Sequence, residues 1–212
     1  MACSVLITGF GPFPGAPFNP TEGLVRRLGM RRRPAFADIE RVTHVFRTSY
    51  AAVDVELPDL IARHEPDVLL MFGLAARTPH VRIETRARNA TTALVPDVGG
   101  RMLRRTGIRP GEAAALAGRA PFQKLVSAVR GARLRARLSH DAGAYLCNYV
   151  YWHGIEAKSR KRPIPVVAFV HVPLVYRGSR LSGYRRVVTL DDLARAGEAI
   201  LRSLVTAAHD AR

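Results

Sequence analysis

The chain has 212 residues, 48% of them hydrophobic, with a formal net charge of +16 and two cysteines. That length and apolar content fit one compact domain spanning residues 1–212. The lack of any run of about 18 apolar residues excludes a transmembrane helix, and two cysteines are no disulfide framework. No basic segment precedes the short run Val5-Leu6-Ile7, so no signal peptide is read and a reducing cytoplasm is the expected compartment.

The charge raises a second class of function. Between Arg101 and Arg137 ten basic residues stand against one acid, Glu112, and Arg31, Arg32 and Arg33 form another run. Such patches bind nucleic acid or acidic surfaces. However, only Lys124, Lys158 and Lys161 are lysines among 33 basic residues, a bias that a GC-rich genome produces by itself. The basic residues lack a regular pattern of interleaved aromatics for base stacking. A basic nucleic-acid-binding protein is therefore kept only as the alternative reading.

Taken in chain order, Val5–Thr8 reads as a buried strand ended by the Gly/Pro-rich loop Gly9–Pro17. Asn19-Pro20-Thr21-Glu22 starts a helix, with Asn as N-cap and Pro at the first position. Ile39–Phe46 alternates as a strand. Ser49–His64 reads as a helix that Pro58 kinks or splits. Asp67–Phe72 is apolar throughout and suits a strand covered on both faces. His80–Arg86 is a further strand, and Asp97–Gly118 a long surface excursion. Pro121–Arg130 opens a helix, Leu134–Leu138 is a brief strand, Pro165–Val172 a buried strand and Leu190–Ala208 an amphipathic helix. Strands alternating with helices predict an α/β fold around a mostly parallel twisted sheet.

The stretch Ser139–Tyr149 carries the most chemistry. It turns at Gly143 and feeds a helix that opens close to Cys147. A thiol there faces unpaired backbone N–H groups and the positive end of the helix dipole, which favour thiolate, the nucleophilic form. The same N–H groups could receive the oxyanion of an acyl-transfer intermediate. The alternative is a buried, inert cysteine. A nucleophilic thiol needs a base. His64 and His209 lie at helix ends, His153 on another face of the Cys147 helix, His44 within a strand, and His80 just before one. His140 is close to Cys147 in sequence but could equally be a loop residue. His171 is the strongest candidate, because it ends an apolar strand and catalytic residues of open parallel sheets collect at strand C-termini. A core histidine bonded to backbone fits that position equally well. Glu84 could orient an imidazole, or pair with Arg82, Arg86 or Arg88. The Gly9–Gly15 loop is no dinucleotide fingerprint, because Pro14 stands where the third glycine belongs. Phe10 and Phe13 there either present apolar rings at a strand end or pack in the core.

These segments, in this order, resemble the pyroglutamyl peptidase I (pyrrolidone-carboxylate peptidase) family of cysteine peptidases. The matching stretches are Thr8-Gly9-Phe10, Pro12-Phe13 and Asn19-Pro20-Thr21. Gly73-Leu74-Ala75 with Ile83-Glu84 and Asn89, then Ala142–Tyr149, and finally Phe169-Val170-His171-Val172-Pro173 complete them. The resemblance implies Cys147 as nucleophile, His171 as general acid/base and Glu84 as its orienting residue. It also implies a substrate pocket involving Phe10, Phe13, Tyr145 and Leu146, no cofactor or metal, and a homo-oligomer, a tetramer in the family. The partners it implies are peptides with N-terminal pyroglutamate. The chain departs in three places: Ala75-Ala76-Arg77 replaces the family's Gly-Gly-Arg, Val98–Ala120 matches poorly, and Leu94 stands where the family has an arginine that supports the oxyanion, so its side chain is expected to face the acyl oxygen. Arg86, Arg88 or another arginine could replace that charge, or activity could be slow or directed to another small amide or lactam.

Overall fold

The apolar run near the N-terminus is the middle of a longer strand, β1 (Cys3–Phe10), buried at every position. This computed structural model describes residues 2–13, 15–103, 107–176 and 187–211. Helix α1 (Pro20–Met30) starts as its sequence dictates: Asn19 caps it by accepting from the Thr21 amide, and Pro20 fills the first turn. A short 3₁₀ turn at Pro34–Phe36 leads to β2 (Ile39–Phe46). Helix α2 (Tyr50–His64) is not split at Pro58 but runs through it, and β3 (Val68–Leu74) follows.

The strand expected over His80–Arg86 is two strands, β4 (Val81–Glu84) and β5 (Arg86–Arg88). They part at Thr85, whose amide donates to the Ser139 carbonyl at 2.8 Å while its own carbonyl accepts from Gly118 N at 2.9 Å. The chain then continues through β6 (Ala115–Ala117), α3 (Phe122–Gly131), β7 (Ala136–Ser139) and α4 (Leu146–Glu156). A small hairpin, β8 (Lys158–Ser159) and β9 (Arg162–Pro163), precedes β10 (Val166–Val172) and α5 (Leu190–Asp210).

Six strands form one sheet in the order β2-β1-β3-β10-β4-β7. All neighbours are parallel except β10 and β4. Alternating side chains feed two cores, as the period of two demands. One face carries Val5, Ile7, Leu70, Ala168 and Val170 under α1, α3 and α5. The other carries Leu6, Phe10, Leu69, Met71, Val167 and Phe169 under α2 and α4. No helix among the described residues is long and apolar enough to cross a membrane.

Residues 97–118 are more than the expected surface excursion, since Asp97, Leu103 and Ile108 are buried. Residues 104–106 lie outside the described residues. Asp97 anchors the segment. Its Oδ2 accepts from the Tyr50 amide at 2.9 Å, and its Oδ1 from the amides of Gly99 and Arg101 at 2.8 Å each. It thereby caps α2 from outside the helix, because Ser49 makes no side-chain cap of its own. Burial works against the Asp97 carboxylate, but these backbone donors and the Ser49 hydroxyl outweigh it and hold its pKa below the usual 3.8. A depressed folded pKa means that the stabilisation is complete above the unfolded value and is lost as pH falls through the folded one. Asp97→Asn is expected to cost about 2 kcal/mol at pH 7. In denaturant titrations the gap from wild type should close below pH ~4; a gap unchanged at pH 2.5 would rule out the charge as its source.

Candidate active site

Strand register builds this site. On the α2/α4 face of the sheet, Gly73 of β3, His171 of β10 and Arg82 of β4 are neighbours in one row. Met71, Phe169 and Glu84 form the row beside it. Two rows of three positions thus place an imidazole, a carboxylate and a guanidinium side by side at the C-terminal end of β10. Glu84 is 0% exposed and His171 5%. His171 Nδ1 and Glu84 Oε1 are 2.8 Å apart, which leaves Nε2 for the hydrogen bond between His171 and Cys147. Burial opposes charge on the ring, but the Cys147 and Glu84 interactions outweigh it and push the His171 pKa up to about 9.

The thiol reaches His171 because β3 has a glycine opposite. A Cβ at Gly73 would lie 2.7 Å from both Cys147 Sγ and Phe169 Cζ. Phe169 in turn supports the imidazole, ring centroids 5.0 Å apart at 66°. Cys147 itself is the second residue of α4. The first bond of that helix runs from Tyr149 N to Tyr145 O at 3.0 Å, so the amides of Leu146, Cys147 and Asn148 have no acceptor within the helix. Gly143, at φ +88°, makes the turn into it.

The helix start is held from three sides. Asn148, fully buried, accepts from Arg88 N at 2.8 Å and donates to the carbonyls of Arg88 and Ala90 at 2.7 and 3.1 Å. Tyr151 donates to the Glu84 carbonyl at 2.9 Å. Tyr145, the N-cap residue, donates to the Pro96 carbonyl at 3.0 Å and packs edge-on to Tyr50. Burial, with Asp97 and Cys147 adding, pushes the Tyr145 phenol up to about 12. In the sequence Gly73 stands only as part of a pattern, and neither Asn148 nor Tyr151 stands out. Their partners lie on distant segments, so no local signal marks them.

Phe10 is buried in the core that holds Leu146, Phe169 and Cys147, with its ring 5.8 Å from Phe46. Thr21 fixes its backbone, donating to the Phe10 carbonyl at 2.9 Å and accepting from its amide at 3.0 Å. Phe13 is not in that core. It is half-buried in a turn closed by its own bonds with Ala16. Leu94, expected to face the acyl oxygen, has 90% of its surface in solvent. The suggested substitutes for its missing charge are engaged elsewhere: Arg86 donates to His140 O at 2.9 Å, and Arg88 pairs with Asp141 at 3.0 Å. His140 lies against Thr85 Oγ1 at 2.5 Å, exposed, and His153 is beside Glu156. Among the described residues no group of His, Cys, Asp and Glu is placed to hold a metal ion. A cavity of about 650 Å³ between α2 and α4, lined by Asp54, Arg101, Tyr149 and Glu156 among others, includes neither Cys147 nor His171.

The tight fit at Gly73 is testable without a substrate. Gly73→Ala is expected to cost about 1–3 kcal/mol through overpacking and to slow alkylation of Cys147 by iodoacetamide, because Sγ is pushed off His171. Unchanged stability and rate together would show that the thiol has room to spare.

Comparison with known proteins places the whole chain, rather than the single residues of the site. The family model described as pyroglutamyl peptidase matches residues 3–180. The pyrrolidone-carboxylate peptidase of Thermococcus onnurineus (strain NA1) is 30% identical over 206 residues, covering 96% of this chain and 99% of the relative. That of Clavibacter michiganensis subsp. michiganensis (strain NCPPB 382) is 31% identical over 210 residues, covering 99% and 96%. The crystal structure of pyroglutamyl peptidase I from Bacillus amyloliquefaciens superposes with a TM-score of 0.82 at 28% identity, over 98% of this chain and 96% of that one. The pyrrolidone carboxyl peptidase from Thermus thermophilus does so with 0.78 at 30%, over 94% and 100%. With the fold matched end to end and the family model covering most of the sequence, this chain belongs to the pyroglutamyl peptidase family.

Proposed function

We propose that the chain is a cysteine peptidase that removes N-terminal pyroglutamate from peptides, with Cys147, His171 and Glu84 as its catalytic residues. The observation that carries this reading is the continuous contact from Glu84 through His171 to Cys147, at the opening of a helix whose first amides are free of helical partners. Cys147 thiolate attacks the pyroglutamyl carbonyl carbon. The oxyanion is received at the Cys147 backbone N–H. As the intermediate collapses, the C–N bond breaks and His171 gives its proton to the leaving amine, which departs as the shortened peptide. Water then attacks the thioester, His171 takes its proton, and pyroglutamate leaves as Cys147 is regenerated.

The substrate's N-terminus is a neutral lactam, so no ammonium–carboxylate pair can select it. Aromatic and apolar contact with backbone hydrogen bonds must do so. We assign that role to Phe10 and Leu146, which share a core with Cys147, to Tyr145 at the cap of α4, and to Phe13. Leu94 adds no charge, so oxyanion support rests on the backbone amide. A homo-oligomer, a tetramer as in the family, acting in the cytoplasm as one domain over residues 1–212 completes the proposal. The alternative of a basic nucleic-acid-binding protein has no support among the relatives.

Purified protein is expected to release fluorophore from a pyroglutamyl amide and not from proline or alanine amides. Cys147→Ala should abolish the release, whereas Cys3→Ala, at a buried strand position, should leave it within about two-fold. Equal loss in two folded variants would remove Cys147 from the mechanism.

The pH profile carries its own sign. His171 must hold a proton to release the amine, so kcat/KM should fall as pH rises through about 9. It should also fall at acid pH, where the thiolate–imidazolium pair gains a proton. His171→Ala should lose the alkaline limb along with most of the rate. An alkaline limb that persists in that variant would point to His140 as the base.

A further inference from the structure

Arg82 has no role in the mechanism above, yet it stands directly opposite His171 in the β10–β4 register. Its Nε lies 3.0 Å from Glu84 Oε1, the same oxygen that meets His171 Nδ1 at 2.8 Å. The other Glu84 oxygen, Oε2, is buried without a hydrogen-bond partner among the described residues. The guanidinium is itself held: Nη2 donates to Ser139 Oγ at 2.7 Å and to the Asp141 carbonyl, on the loop that leads to Cys147. One arginine therefore grips the carboxylate, the end of β7 and the nucleophile loop together.

The charge balance of the proposed reaction shows what such a residue does. At rest the buried site holds thiolate, imidazolium and carboxylate, a sum of −1 without Arg82 and zero with it. In the thioester stage Cys147 is acylated and His171 has given up its proton. Glu84 alone would then be an isolated buried anion, which is a costly state. Arg82 cannot lose its proton under these conditions, so it neutralises Glu84 at both stages. We propose that Arg82 is a positioning residue of this active site, one that holds Glu84 against His171 and keeps the buried site electroneutral while the imidazole proton leaves and returns. This rests on the catalytic reading given above.

Among the described residues, the charged and titratable groups facing His171 are few. Cys147 comes from α4, Glu84 and Arg82 come from β4, and β3 contributes only Gly73. Tyr151 of α4 meets Glu84 at its backbone carbonyl, and Asp141 on the nucleophile loop is paired with Arg88. Removing the Arg82 charge therefore leaves a net negative site that holds both the thiol and the imidazolium protons more tightly.

The test compares Arg82→Gln and Arg82→Lys in the full chain. Alkylation of Cys147 by iodoacetamide and kcat/KM on a pyroglutamyl amide are both followed against pH, with melting temperatures taken alongside. In Arg82→Gln the acid rise of both profiles and the alkaline limb of kcat/KM should move up by about one to two pH units. Its kcat at pH 7 should fall about ten-fold or more with KM little changed. Arg82→Lys keeps the charge and should keep the limbs, although it loses the fork to Ser139 and with it some thermal stability. A folded Arg82→Gln with unmoved limbs overturns the proposal, as does Arg82→Lys shifting as far as Arg82→Gln. If Arg82→Gln fails to fold while Arg82→Lys folds with wild-type limbs, the required feature is the charge and the proposal stands. Failure of both to fold overturns it in favour of a purely structural arginine. Alkylation needs no pyroglutamyl substrate. Limbs that shift in a protein inactive toward pyroglutamyl amides would sink the substrate reading while leaving the role of Arg82 intact.

Discussion

The alignment of three neighbouring strands is the constraint on which the rest of this molecule depends. Because side chains alternate along a strand, fixing the register of β3, β10 and β4 fixes which six positions share a patch. A slip of one residue in β10 would turn His171 into the other core and bring Val170 or Val172 to the site. The register is specified by burial, since β3 and β10 are covered on both faces by apolar side chains that fit only one pairing. Precision at the site is thus a by-product of packing the cores.

The site works against that same burial. A carboxylate with no solvent contact and an imidazole nearly so would each favour neutrality if alone. Cys147 first, and Glu84 after it, reverse the outcome for His171, and the guanidinium of Arg82 adds a permanent charge at the same Glu84 oxygen. The antiparallel β10–β4 pair is what makes this possible. It sets Arg82 straight across from His171 and Glu84 on the diagonal, close enough for one oxygen to serve both cations.

The thiol arrives from a separate layer. Helix α4 must begin within reach of β10, and its start is clamped by Asn148 on β5, by the Tyr145 bond to Pro96 and by the gap over Gly73. Asp97 extends that clamp to α2, so the irregular 96–101 segment is part of the support for Cys147. Apart from Tyr145, none of these supporting groups need touch a substrate. Each removes a freedom from the residues that would.

The sequence by itself determined the alternation of strands and helices, the Asn19-Pro20 start of α1, the buried runs of β1, β3 and β10, and Cys147 at a helix opening. These are local properties, governed by periodicity, capping and turn chemistry over a few neighbouring residues. It also brought Glu84, His171 and Cys147 into one hypothesis, through family resemblance rather than through spacing. It could not choose between His171 and Arg82, Arg86 or Arg88 as the partner of Glu84, nor divide the 80–88 stretch at Thr85. Through the resemblance it set Leu94 toward the acyl oxygen, and only the tertiary structure shows how far that side chain stands in solvent. Those outcomes hang on residues more than fifty positions apart: Ser139 pulling Thr85 aside, Phe169 and His171 lying across from β4, Asn148 seizing β5. Strand order and register decide such contacts, and both are set by how the whole chain buries its apolar surface, a quantity no local window contains.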